Sequence, residues 1–112
     1  MTIDLSLMPS LHNTAVVCRN ANEAASFFNA VETQMPHVNT HGWGLERAEY
    51  MIKYYNGCHR LALSISEYDD GIEWCYDRWY KDRGFKVIEF SDLLVDDIEI
   101  DDDFDTKLLF GI

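Results

Sequence analysis

Apolar positions along this 112-residue chain fall into short blocks separated by polar turns. Asn13 to Arg19 (N-T-A-V-V-C-R) is short and β-branched and predicts a buried strand. Asn20 then opens a predicted helix, because it is a good N-cap and Glu23 follows three residues on, as in a capping box. Ala24, Phe27, Phe28, Val31 and Met35 recur at helical spacing and form one apolar stripe. Pro36 ends this helix, since proline disfavours helical dihedrals at Met35. In residues 37–47, Gly42 and Gly44 flank Trp43 and mark a bend or bulge; strand and loop both stay open there.

The strongest local signal is Asn56-Gly57, which favours the left-handed dihedrals of a two-residue hairpin turn. A hairpin centred there places Ile52 opposite Leu61. Tyr50, Ile52, Tyr54, His59, Leu61 and Leu63 then share one nearly apolar face, with Lys53, Arg60 and Ser64 on the other beside Met51, Tyr55 and Cys58. A one-residue slip would destroy this segregation. Residues 66–71 (S-E-Y-D-D-G) read as a polar turn. Ile72 to Arg83 reads as a second helix, with Ile72, Tyr76, Trp79 and Tyr80 on one face, Lys81 and Arg83 in the last turn, and Gly84 at the C-terminal cap. Phe85 to Phe90 reads as a strand, followed by a short turn at Ser91 and Asp92. The expected fold class is α+β: a single small domain over residues 1–94, with a largely antiparallel sheet and two helices on one face. Residues 95–112 form an acidic tail that ends in an apolar segment.

Composition fits this picture. Fifteen Phe, Trp and Tyr residues and a 47% hydrophobic share supply one packed core. No apolar run approaches the roughly 18 residues that span a bilayer. The start of the chain lacks the basic and apolar segments of a secretory signal. With three unclustered cysteines, Cys18, Cys58 and Cys75, reduced thiols in a cytoplasm are the simpler expectation. The net charge of −11 changes more. It repels nucleic acid and anionic membrane, and it attracts basic protein surfaces. The tail carries −6 of it and the body −5.

Candidate chemistry is sparse. His37 and His41 have the spacing of half a zinc site, but no C-x2-C pair completes it. Cys18 sits in a predicted buried strand, and an acidic protein opposes thiolate formation at any of the three cysteines. Glu67, Asp69, Asp70, Glu73 and Asp77 lack the order of a calcium loop, and their positions around a turn and a helix start fit solvated charge. No phosphate loop, dinucleotide fingerprint or nucleophile elbow occurs. The expectation is therefore no catalytic residue, no metal and no cofactor. Tyr68 and Trp74 fall off the predicted helical stripe, and exposed aromatics among acids suit a protein-binding hot spot. The candidate partner-binding residues are thus Glu67, Tyr68, Asp69, Asp70, Glu73, Trp74 and Asp77. In the tail they are Asp101, Asp102, Asp103, Leu109 and Phe110. The acids leading into Leu109-Phe110 resemble, imperfectly, peptides that dock on sliding clamps and the tails of single-stranded-DNA-binding proteins. The favoured alternative folds Leu108, Leu109 and Phe110 back onto the domain as an edge strand.

Glu23-Ala24-Ala25 with Phe27-Phe28, Gly42-Trp43, Cys58 and the run Gly84 to Leu94 (G-F-K-V-I-E-F-S-D-L-L) resemble small uncharacterised proteins encoded by phages and prophages, over about residues 13–94. The resemblance implies an accessory phage gene whose product acts on a host protein; it implies no functional residues. The leading expectation is a non-enzymatic protein that binds and modulates or inhibits a host protein with a basic surface, by partial mimicry of DNA charge. One alternative is a binder of a nucleotide-like small molecule, using aromatics with Arg47, Lys53 and Arg60; another is a generic interaction module.

Overall fold

The computed structural model describes residues 2–95. Its centre is strand β2, Thr14–Cys18, in which every residue is buried. This follows from its place in a four-stranded sheet of order β4-β3-β2-β5, with β3 at Leu61–Ile65, β4 at Ile72–Tyr76 and β5 at Lys86–Glu89. The β2–β3 and β3–β4 pairs are antiparallel, and β2–β5 is parallel. A strand covered on both faces must be apolar at consecutive positions, and A-V-V-C meets that demand.

Helix α1, Ala21–Gln34, begins as its sequence dictates: Asn20 Oδ1 accepts the Glu23 N–H at 2.9 Å. The second half of the capping box is displaced by one residue. The Glu23 carboxylate accepts the Arg19 N–H at 2.8 Å and the Arg19 guanidinium at 2.6 Å, instead of returning to Asn20. Partial burial would raise the Glu23 pKa, but the Arg19 bonds outweigh it and hold the carboxyl below its ordinary value. Ala24, Phe27, Phe28 and Val31 are buried against the sheet face that carries Val16, Cys18, Leu61, Leu63 and Ile65.

The hairpin expected at Asn56-Gly57 is not formed. Residues Leu45–Tyr55 are helix α2, which packs beside α1. The left-handed dihedrals themselves are present, with φ of 48° at Asn56 and 79° at Gly57. They end a helix, with Asn56 as its left-handed cap, instead of joining two strands. Ala48 and Met51 are buried and Ile52 and Tyr55 half-buried, a helical spacing that the alternation of Tyr50, Ile52 and Tyr54 hides.

The expected helix at Ile72–Arg83 is likewise corrected. Ile72–Tyr76 is strand β4, and only Asp77–Asp82 is helical, as the short α3. With residues 50–55 committed to α2, β3 takes β4 as its neighbour, from Leu61↔Tyr76 to Ile65↔Ile72. A hairpin therefore exists one element downstream, closed by the polar turn 66–71. In that turn the Ser66 N–H reaches the Gly71 carbonyl at 2.8 Å, and Asp69 Oδ1 accepts the Gly71 N–H at 3.0 Å. A Cβ at Gly71 would stand 3.1 Å from His41 Nε2 and 3.2 Å from Asp69 Oδ1, so a larger residue there would push these side chains back by a few tenths of an ångström.

Helix α3 lies on the opposite face from α1 and α2, which corrects the two-helix, one-face expectation to three helices over both faces. That second face is lined by small residues, Ala15, Val17 and Ala62, into which Tyr80 is fully buried. The Ser64 hydroxyl donates to the Tyr80 oxygen at 2.8 Å, and burial pushes the Tyr80 hydroxyl pKa up. Gly84, at φ of 81°, follows α3 where the sequence placed a terminating glycine. A small second sheet pairs β1, Thr2–Ile3, antiparallel with β6, Leu94–Val95. Gln34 fixes its position by donating to the Ile3 carbonyl and accepting the Leu5 N–H. The result is a small α+β domain with mostly antiparallel strand pairs. Among the described residues no helix is long and apolar enough to cross a membrane.

Candidate functional site

The corrected positions of α2 and β4 assemble a feature that neither segment shows alone. In a helix Tyr50 and Tyr54 lie one turn apart on the same side. Both point off the core and stay 52% and 63% exposed. On β4, strand alternation puts Ile72, Trp74 and Tyr76 on the face that α2 covers. Trp74 meets Tyr50 with ring centres 6.2 Å apart and Tyr54 at 5.4 Å, and the two tyrosines are 6.2 Å from each other. The row continues from Trp74 to Tyr55 at 5.8 Å, to Tyr76 at 6.0 Å, and to His59, which stacks on Tyr76 at 4.3 Å. Most of these contacts are edge-to-face, the geometry that ring quadrupoles favour. At the other end the Arg47 guanidinium lies 5.6 Å from the centre of the Trp43 ring and 5.4 Å from that of Tyr50.

This aromatic ledge follows the seam between a surface helix and an outer strand. Strand β4 is the edge of the sheet. The loop at 39–41 covers only its start, since the Asn39 carbonyl accepts the Ile72 N–H at 3.0 Å and His41 Nε2 donates to the Ile72 carbonyl at 3.1 Å. Burial, and then the nearby Cys75 thiol, push the Tyr55 hydroxyl pKa up, so that phenol stays neutral well beyond physiological pH. Rigid rings fixed by one another give large contact area at low cost in side-chain entropy, the property that enriches Tyr and Trp at protein interfaces.

The acidic candidates are distributed differently from the way a helix at 72–83 would have gathered them. Glu67, Tyr68, Asp69 and Asp70 sit on the β3–β4 turn, with Tyr68 91% exposed. Asp70 is held at a positive φ of 53° and bonded to His12 at 2.8 Å, and Asp69 caps its own turn; both carry structure. Glu73 is exposed on one side of β4 while Trp74 joins the ledge on the other. Asp77 stands at the far end of the strand, 3.9 Å from Arg60. Asp101, Asp102, Asp103, Leu109 and Phe110 lie outside the described residues.

Beyond His59 and Tyr76 the ledge opens into a surface cavity of about 700 Å³, walled also by Arg60, Asp77, Arg78 and Lys81. Arg60 is spent on Asp77 and Glu89. The three basic residues considered for a nucleotide-like ligand lie apart: Arg47 is on the Trp43 and Tyr50 rings and Arg60 in those ion pairs, while Lys53 is exposed at the rim of a separate groove with Ala21 and Glu49. His41 packs on Trp43 at 4.5 Å, and among the described residues no group of three or more His, Cys, Asp or Glu is placed to hold a metal ion. Cys18 is buried, and burial followed by Glu23 and Glu89 pushes its thiol pKa up, away from reactivity.

No family model, curated protein or solved structure matches the chain.

Sequence reasoning reached Trp74 but missed its neighbours Tyr50, Tyr54, Tyr55, Tyr76 and His59 as one surface. The signal was the i, i+4 spacing of Tyr50 and Tyr54, which matters only once residues 45–55 are read as helix.

Proposed function

We propose that the chain is a non-catalytic protein-binding module that docks on a basic partner through the aromatic ledge. The observation that carries this reading is the pair of exposed rings Tyr50 and Tyr54, both touching the half-buried Trp74, on a strongly acidic chain. Buried aromatic anchors surrounded by charge are how interfaces concentrate their affinity. The charge adds long-range steering towards a positive surface, an effect that weakens as salt rises. In the context that the phage resemblance implies, the partner is a host protein and the outcome is inhibition or modulation of it.

The test compares the wild-type chain with a Tyr50→Ala/Tyr54→Ala variant for capture of partner from host lysate, with thermal melting as a control. The variant removes four ring pairs, each worth about 0.5–1.5 kcal/mol, and the melting curve identifies the temperature at which it is still folded for the capture. Loss of capture by the folded variant is the expected result. Capture that survives it, yet disappears when Glu67, Asp69, Asp70 and Glu73 are neutralised together, would assign binding to charge and remove the ledge from the contact.

A further inference from the structure

We infer that the exposed Tyr54 ring, beside Trp74 in the middle of the ledge, takes the guanidinium group of an arginine in a basic partner segment, an inference that rests on the ledge being the contact surface. The molecule already displays this chemistry twice. Arg47 spans the Trp43 and Tyr50 rings at one end of the ledge, and Arg83 lies 3.8 Å from the centre of the Trp79 ring. Among the described residues no cation lies over Tyr54 or Trp74. The cation next to Tyr54 in sequence, Lys53, instead lines the groove with Ala21 and Glu49. The ledge therefore holds an internal guanidinium at its Tyr50 end and presents an exposed ring, Tyr54, one helical turn further on.

Charge decides what completes it. A chain with net charge −11 favours a cation over a neutral or anionic group. The ring faces select arginine over lysine. A planar, weakly hydrated guanidinium stacks on an aromatic ring while keeping its donors free, whereas an ammonium must shed a tightly held water shell. The occupant is thus an arginine-bearing segment of a basic protein. A lysine-rich segment would be drawn by the same field and held less well.

Three nonapeptides separate these sources of affinity: alternating arginine and glycine, the lysine counterpart, and the citrulline counterpart, which keeps the planar shape without charge. Each is titrated into the full-length chain, followed by tryptophan fluorescence and by the amide and indole resonances of Tyr54 and Trp74. The arginine peptide is expected to bind roughly two- to five-fold more tightly than the lysine peptide for each stacked guanidinium, and the citrulline peptide more weakly than both. Tyr54→Ala should erase the arginine preference and Tyr54→Phe should keep it. Equal binding of the arginine and lysine peptides, unaffected by Tyr54→Ala, overturns the inference, as does no binding by any peptide. Capture of partner that is still lost in Tyr50→Ala/Tyr54→Ala would then leave the ledge as the contact surface, with some other partner side chain on it. If capture too is unaffected, both readings fall.

Discussion

The two faces of the four-stranded sheet are covered in opposite ways. One carries Val16, Cys18, Leu61, Leu63 and Ile65 beneath α1 and α2, with Phe27, Phe28 and Met51 filling the space between. The other carries Ala15, Val17 and Ala62 beneath the six-residue α3, where Tyr80 is buried at the centre with Trp79 and Phe85 half-buried against it. The thick face is held by apolar contact spread over many residues. The thin face centres on a small cluster around Tyr80, whose hydroxyl oxygen accepts a buried hydrogen bond from Ser64. The thick face also has more helix than the sheet needs to cover it. The outer side of α2 is consequently free to display Tyr50 and Tyr54, so the ledge is a by-product of the heavier cover.

Four measurements would break or sharpen this contrast. Phe28→Ala empties the centre of the thick face and should cost about 3–5 kcal/mol, enough to bring a small domain close to unfolding; a loss below about 1 kcal/mol in denaturant titration would mean that this face can collapse around the cavity. Thiol labelling resolved by mass spectrometry should rank the cysteines by cover. The exposed Cys58 reacts first, the half-buried Cys75 of the edge strand next, and Cys18 only at the rate of global unfolding. Cys18 labelling as fast as Cys75 would contradict the thick face. On the thin face, Tyr80→Phe removes the acceptor of the Ser64 hydroxyl and should cost about 1–3 kcal/mol; adding Ser64→Ala to it should recover part of that loss. The smallest effect concerns the entry to α1. The Glu23 pKa is depressed in the folded state, so its contribution is present above the unfolded carboxylate pKa and is lost as pH falls through the folded value. Arg19→Ala should reduce that acid-side loss, seen as a flatter dependence of melting temperature on pH below about 4.5.

How much of this was legible beforehand depended on how local each determinant is. Strand β2, the Asn20 cap, the end of α1 near Pro36, strand β5 and the glycine after α3 were all readable, because each is fixed by a few neighbouring residues. The segment 50–56 was misread although its turn dihedrals were correctly anticipated. Asn56 and Gly57 take left-handed values in either structure, so the dipeptide alone does not distinguish a hairpin turn from a helix cap. The preceding run L-E-R-A-E-Y-M consists largely of good helix formers and weighs towards helix. That information lay in a window longer than the hairpin flanks.

The sequence by itself determined the composition of one core, an excess of negative charge, and the local starts and stops of its clearest elements. Only the tertiary structure decided which strand β3 takes as its partner, and so whether Ile72–Tyr76 would be strand or helix. Those residues satisfy both periods: Ile72, Trp74 and Tyr76 alternate, while Ile72 and Tyr76 also stand one helical turn apart before Trp79 and Tyr80. The open hydrogen-bonding edge of β3, left unpaired when α2 became a helix, resolved the tie in favour of the strand. That same choice carried Trp74 to Tyr50 and Tyr54, because a contact between residues twenty or more positions apart is set by packing and not by any local preference of the chain.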